Sequence, residues 1–135
     1  LRVRQHCANA QKVAEWLEKN PKVGWVNYCG LPSNKHYALA QKYLPNGACG
    51  VIAFGLNGTR EEAIKFMDNL EFISIVTHVS DARICLLRPA SHTHRQMTDE
   101  QLREAGVAPD LVRLSVGIEN VEDIIADLEQ AMAKM

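Results

Sequence analysis

Residues 111–117, LVRLSVG, and residues 120–132, NVEDIIADLEQAM, decide the fold of this chain. The first stretch is apolar and rich in branched side chains apart from one arginine, which is typical of a buried strand. The second stretch repeats apolar side chains at three-and-four spacing behind Asn120, which predicts a capped amphipathic helix. A buried strand followed by a helix with one apolar face predicts a sheet with helices packed against it.

The same two patterns alternate along the rest of the chain and predict the order helix, strand, helix, strand, helix, strand, strand, helix, strand, helix. The bounds predicted before residue 111 are a helix ending at Asn20-Pro21, a strand at 23–28, a short helix capped by Ser33 or Asn34 and ending at Leu44, a strand at 49–56, a helix at 60–70, strands at 72–77 and 84–87, and a short helix that Thr98 opens and Gly106 ends. Thr59 and Thr98 each stand three residues before a glutamate or glutamine, which is the pattern of a capping box. We therefore expect one α/β (α+β) domain over residues 1–135, a two-layer sandwich of a small sheet and helices, with the pairing direction of its strands left open.

Composition excludes several classes of function. The 135 residues carry a formal net charge of -1 and no basic block, so nucleic acid and anionic membranes are poor candidate partners. No apolar run has the length of a spanning helix, no secretory signal is evident, and the four cysteines lack the spacing of a zinc or redox pair. These features predict a cytoplasmic location. Because the chain starts at Leu1 within a helical pattern, we expect it to be a piece of a longer protein.

Arg113 is the only charged residue in its apolar strand, and a guanidinium in such a place requires an anion. Its planar fork suits a carboxylate that accepts two hydrogen bonds. The partner is either a substrate or a neighbouring acid such as Asp110 or Glu119. The residues alone favour the structural ion pair.

Three histidines are weaker candidates for chemistry. His92 and His94 would share one face of an extended segment, but no third ligand stands at a recognisable spacing, so a hydrogen-bonded loop is favoured over a metal site. His78 is a candidate general base that Asp81 would orient, although a histidine at a strand end is more often simply hydrogen-bonded. None of the lysines stands out as a desolvated, activated amine. By themselves the residues predict a soluble α/β domain with a candidate carboxylate-binding arginine.

From Arg88 onward, the sequence RPASHTHRQMTDEQLREAGVAPDLVRLSVGIENVEDIIADLEQAM resembles the closing segment of the Cys/Met-metabolism family of pyridoxal-phosphate (PLP) enzymes, almost position by position. Upstream, RQHCANAQKVAEWLEKNPKVGWVNYCGL and KHYALAQKYLPNGACGVIAFGLNG resemble the first helix and strands of that family's C-terminal domain, particularly in O-acetylhomoserine sulfhydrylases. The resemblance implies a fold-type-I subunit, in which a large domain binds PLP through a lysine and a smaller domain helps to close the substrate site. This chain resembles the smaller domain, because the family's Ser-x-x-Lys motif and upstream aspartate do not occur in it.

The resemblance also implies that three residues of this chain bind the substrate. It implies no PLP-binding residue and no metal ligand in this chain. The family's arginine that grips the substrate α-carboxylate corresponds to Arg113, and the threonine of its Ser-x-Thr-His motif corresponds to Thr93. The family's substrate-facing serine or asparagine corresponds to His78. The chain departs from the family there, with histidine at position 78 and Ser80 in place of glycine.

For the longer protein the resemblance implies a γ-replacement, in which acetate leaves O-acetylhomoserine and sulfide or a thiol adds to give homocysteine or methionine. PLP, bound by the missing domain, would supply the electron sink, and this chain alone would be inactive. The implied partners are its own N-terminal PLP domain, an amino acid substrate and further copies in a homodimer or homotetramer. The alternatives are a methionine γ-lyase, a cystathionine γ-synthase, a free-standing amino-acid-binding module or a purely structural lid and assembly domain.

Overall fold

The structure, a computed structural model, describes residues 1–89, 96, 98–108 and 110–135. Its elements are α1 (Arg2–Lys19), β1 (Val23–Asn27), α2 (Tyr37–Tyr43), β2 (Val51–Leu56), α3 (Arg60–Asp68), β3 (Ser74–Ile75), β4 (Cys85–Leu87), α4 (Asp99–Glu104), β5 (Leu111–Ser115) and α5 (Val121–Ala133). The predicted order of elements and the mixed α/β class are confirmed. Within the described residues, no helix combines the length and the apolar character needed to cross a membrane.

The strands form one five-stranded sheet in the order β1-β2-β5-β4-β3. Strand β5 occupies the centre and pairs antiparallel with β2 on one side and with β4 on the other. Strand β1 is antiparallel to β2, whereas β3 is parallel to β4. The residues predicted to decide the fold therefore form the strand whose backbone is hydrogen-bonded along both edges.

Alternation along β5 separates the two faces of the sheet. Val112 and Leu114 are completely buried and share one hydrophobic core with Leu17 of α1 and Leu128 of α5. Because successive strand residues point to opposite faces, Arg113 lies on the face away from this core. Helices α1, α3 and α5 thus share the core on one face of the sheet, and the one charged side chain of β5 lies on the other.

Local capping sequences set where several helices begin. Thr59 and Glu62 form both hydrogen bonds of a capping box at α3, and Thr98 and Gln101 make the same reciprocal pair before α4. The Asn120 side chain accepts the N–H of Glu122 at the start of α5. These three predicted caps are confirmed, because each depends only on side chains within three residues of the helix start.

Helix α2 begins later than the sequence predicted. The Asn34 side chain accepts the N–H of His36, two residues on, at 2.9 Å, which makes a turn before the helix and does not cap it. The Ser33 hydroxyl is occupied by Glu18 of α1. The first helical residue is consequently Tyr37, and no side-chain cap is formed.

Strand β3 is shorter than the predicted strand at 72–77, because the backbone N–H groups just before β3 donate to a buried carboxylate and not to a neighbouring strand. Asp127 of α5 is 6% exposed and accepts the N–H groups of Glu71, Phe72 and Ile73 at 2.9, 3.0 and 2.8 Å. Gln130 donates a further hydrogen bond to the same carboxylate. Burial alone would raise the pKa of Asp127, but these donors favour its charged form and hold the pKa below its usual value.

We expect Asp127→Asn to lower the free energy of unfolding by about 2–4 kcal/mol at neutral pH, because three backbone N–H groups lose a charged acceptor. The folded-state pKa of Asp127 lies below its unfolded-state value. The stabilisation is therefore present above the unfolded-state pKa of about 4 and is lost as the pH falls through the folded-state pKa. Urea unfolding at a series of pH values measures both effects. The matched control is Glu129→Gln, which removes an exposed charge from the same helix; equal stability and acid sensitivity in the two variants would contradict this role.

Ser80 has a left-handed backbone, with φ of 63°, in the loop between β3 and β4. Its N–H donates to the Ser115 hydroxyl at 3.0 Å. A Cβ atom makes this conformation costly, whereas glycine adopts it freely. The family that the sequence resembles has glycine at this position, so the departure noted in the sequence carries a backbone cost.

Ser80→Gly is expected to raise the free energy of unfolding by about 0.5–1 kcal/mol, since relief of the left-handed Cβ outweighs the greater freedom of an unfolded glycine. Ser80→Ala keeps the Cβ and should give no such gain, which separates the backbone effect from loss of the hydroxyl. Chemical denaturation of the three proteins measures the difference. A glycine variant less stable than the alanine variant would refute the interpretation.

Candidate carboxylate-binding site

Arg113 projects from the middle of the central strand on the face opposite the core that contains Val112 and Leu114. Its partners in the sheet register are Ala53 of β2 and Leu87 of β4. A small and an aliphatic neighbour give the guanidinium space on the sheet but no hydrogen-bond acceptor from their side chains. Hydrogen-bond acceptors for the guanidinium therefore come from groups outside these two side chains.

The guanidinium of Arg113 is held on one side by neutral backbone. Its Nη2 donates to the carbonyl oxygen of Thr77 at 3.0 Å and lies 3.4 Å from that of His78. Its Nε is shielded from solvent and has no hydrogen-bond partner among the described residues. A shielded, unpaired donor is costly, and on a guanidinium it is suited to an oxyanion that accepts from Nε and a neighbouring nitrogen.

The structural ion pair that the residues alone favoured is wrong. Asp110 accepts the indole N–H of Trp25 at 2.9 Å, and Glu119 accepts the backbone N–H of Ile84 at 2.7 Å. In the described ranges, the salt bridges involve other residues and none includes Arg113. The other prediction from the sequence, that Arg113 binds the carboxylate of a substrate, stays a prediction.

The backbone carbonyl of His78, and not its imidazole, lies beside the guanidinium of Arg113. Its imidazole is largely exposed, with 61% of the side chain accessible, and its Nδ1 lies 3.5 Å from the Asp81 carboxylate. The backbone N–H of Arg83 also donates to Asp81 and holds the pKa of that carboxyl below its usual value. Asp81 is therefore charged at neutral pH and lies where it can orient the imidazole. The role of His78 toward a substrate stays a prediction.

Thr93 and the histidine pair His92 and His94 lie outside the described residues. The role of Thr93 in substrate binding therefore stays a prediction. The preference for a hydrogen-bonded loop over a metal site at the two histidines stays a prediction as well. The described part of the site consists of Arg113 and the loop that carries His78.

Two contributors to this site escaped sequence reasoning. Thr77 acts through its carbonyl oxygen, which every residue possesses, so no residue type could have identified it. Ser115 supports the loop from β5, and one signal was present, because it stands two residues after Arg113 and so shares its face. The substitution of glycine by Ser80 was also visible, but its left-handed conformation was not.

The lysines of this chain do not fit the family's PLP-binding lysine. Six are exposed, and the seventh, Lys22, is half-buried and donates from its ammonium group to the carbonyl of Met132. An amine that forms an imine with PLP has to be desolvated or placed beside another cation so that it loses its proton. None of the seven lysines is buried in this structure.

Comparison with known proteins identifies the family of this chain. The family model described as Cys/Met metabolism PLP-dependent enzyme matches residues 1–133. The chain is 48% identical to an O-acetyl-L-homoserine sulfhydrylase of Leptospira meyeri, over 98% of this chain and 30% of the relative. It is 46% identical to a homocysteine synthase of Schizosaccharomyces pombe, over 98% of this chain and 31% of the relative. The chain thus spans about a third of the length of the curated relatives it matches.

A solved structure supports the same relationship. The crystal structure of a putative O-acetylhomoserine (thiol)-lyase from Campylobacter jejuni, which contains N'-pyridoxyl-lysine-5'-monophosphate, superimposes with a TM-score of 0.89. The two proteins are 37% identical over 98% of this chain and 31% of the other. The family model, the curated relatives and the structural match all span nearly the whole chain, which therefore belongs to the Cys/Met-metabolism family of PLP-dependent enzymes.

Proposed function

We propose that this chain is the C-terminal, substrate-binding domain of a longer PLP-dependent O-acetylhomoserine sulfhydrylase, in which Arg113 anchors the α-carboxylate of the substrate. The observation that carries the proposal is the shielded Nε of Arg113, which has no partner among the described residues. The relatives named O-acetyl-L-homoserine sulfhydrylase and homocysteine synthase support the choice of substrate class.

The contacts of Arg113 support a role in orientation. Carbonyl oxygens of Thr77 and His78 lie beside Nη2 and fix the plane of the guanidinium, while Nε is left for the ligand. A carboxylate held by this plane has its attached Cα fixed as well. Restricting the substrate to one orientation accelerates a reaction by removing rotational freedom before the chemical step. His78 and Thr93 would complete the carboxylate end of the site, and Asp81 would orient His78.

The rest of the reaction belongs to the remainder of the longer protein. In our proposal an N-terminal domain binds PLP, which supplies the electron sink, and copies of the subunit form a cytoplasmic homodimer or homotetramer. Sulfide or a thiol then replaces acetate at the γ carbon, and homocysteine or methionine and acetate are released. The relatives support this division, since the chain covers about 30% of their length.

Product analysis of the full-length protein tests the reaction class. Release of acetate from O-acetyl-L-homoserine that depends on added sulfide, with formation of homocysteine, would support the sulfhydrylase. Release of ammonia without a thiol acceptor would indicate a γ-lyase, and use of cysteine as the acceptor would indicate a cystathionine γ-synthase. An upstream reading frame without a PLP-binding lysine would refute the enzyme and favour the free-standing amino-acid-binding module.

Arg113→Ala in the full-length protein should lower kcat/KM for O-acetyl-L-homoserine by about 100-fold, or about 3 kcal/mol, mainly by raising KM. The reason is loss of the only charged group offered to the carboxylate by β5. Arg113→Lys should recover little of the loss, because an ammonium lacks the planar fork. Steady-state kinetics and PLP content measure the effects on substrate and cofactor separately. The PLP content should not change, and an unchanged KM would refute the assignment.

A further inference from the structure

The Ser115 hydroxyl lies beneath the loop that holds Arg113. Ser115 is 1% exposed and pairs in register with Val51 of β2 and Cys85 of β4. It stands two residues after Arg113, so the two side chains lie on the same face of the sheet. Its Oγ accepts the N–H of Ser80 at 3.0 Å, the residue with the left-handed backbone.

The segment 76–84, which we call the β3–β4 loop, is attached to the strands mainly near its ends. At its start, the Val76 N–H donates to the carbonyl of Leu86, and the Thr77 and His78 carbonyls accept from Arg113. At its end, the Ala82 carbonyl accepts from the Ile118 N–H, and the Ile84 N–H donates to the Glu119 carboxylate. Between these ends, the bond from Ser80 to Ser115 fixes the turn itself. The position of the turn determines where the preceding carbonyl oxygens meet the guanidinium.

We propose that Ser115 is a positioning residue for the carboxylate site: its buried hydroxyl anchors the Ser80 turn and thereby sets the carbonyl oxygens that orient Arg113. The inference rests on the proposed function, since it assigns Ser115 to substrate binding through Arg113 and not to direct contact. The hydrogen bond from Ser80 to this hydroxyl stabilises the left-handed backbone of Ser80. Glycine would adopt that conformation without such a bond.

The surroundings of Ser115 make a clean test possible. A cavity of about 260 Å³ adjoins it and is lined in part by Arg2, His6 and Ser80. In Ser115→Ala, water in this cavity can satisfy the Ser80 N–H beside the polar groups of His6 and Ser80, so the protein keeps its fold while the turn loses its fixed anchor. Ser115→Thr retains the hydroxyl, and its extra methyl group has the cavity beside it.

The matched control is Ser74→Ala. Ser74 pairs with Cys85, which pairs with Ser115, so the two serines lie on the same sheet face two strands apart. Within the described residues the Ser74 side chain makes no hydrogen bond, and it is half-buried. Its replacement removes a hydroxyl from the same face without releasing the β3–β4 loop.

Amide hydrogen exchange of the full-length protein tests the anchor itself. Ser115→Ala should accelerate exchange at the Ser80 amide by about fivefold or more, whereas Ser115→Thr and Ser74→Ala should leave it near the wild-type rate. Unchanged exchange in Ser115→Ala would overturn the inference, whatever the activity of the protein.

Kinetics then test whether the anchor acts on the substrate. Ser115→Ala should raise KM for O-acetyl-L-homoserine about fivefold to tenfold with kcat within about twofold, and Ser115→Thr should restore KM. In an Arg113→Ala background the same change should have no further effect, because Ser115 acts through Arg113. Faster exchange with an unchanged KM, or an equal rise in KM in both backgrounds, would overturn the inference alone. A wild-type protein without sulfhydrylase activity would overturn the proposed function together with it.

Discussion

The charge of Arg113, fixed to a strand that is hydrogen-bonded on both edges, is the constraint on which the site depends. Strand β5 cannot shift to relieve that charge without breaking its pairing with β2 and β4. The described chain offers the guanidinium two carbonyl oxygens and no acid, which leaves its net charge unneutralised. Such a guanidinium is complementary to a carboxylate, because the anion would neutralise the positive charge and accept a hydrogen bond from the unpaired Nε–H.

The helical layer supports this site from the opposite side of the sheet. Asp127 of α5 captures three successive backbone N–H groups in front of β3, and β3 leads directly into the β3–β4 loop. That loop returns to β5 through Arg113 and Ser115. Side chains of α5 and β5 therefore hold the backbone before and within the β3–β4 loop by hydrogen bonds. Such a connected network favours one loop position over many, as a binding site made of loop carbonyls requires.

The sequence was informative wherever structure depends on near neighbours. Helix caps at Thr59, Thr98 and Asn120 were predictable, since each cap bonds to a backbone or side-chain group within three residues. The apolar periodicities gave the order of the elements and placed Arg113 on a buried strand. The family resemblance added the prediction that Arg113 binds the substrate carboxylate, whereas the residues alone had favoured an ion pair.

The remaining features depend on contacts between distant residues. Asp110 was a reasonable partner for Arg113 by proximity in sequence, but it bonds to Trp25, 85 residues away. Strand β3 was predicted too long because the competing acceptor, Asp127, lies 54–56 residues further along the chain. Pairing direction and the carbonyl contacts of Arg113 likewise arise only when the sheet assembles. Periodicity and local propensity contain no information on such contacts.

The most direct measurement of the central claim is a crystal structure of the full-length protein with L-homoserine bound. We expect the ligand's carboxylate to accept a hydrogen bond from Nε of Arg113 at about 3 Å, with the Thr77 and His78 carbonyls still beside Nη2. A carboxylate bound by other groups, with Nε still unpaired, would contradict the assignment of Arg113 as the substrate anchor.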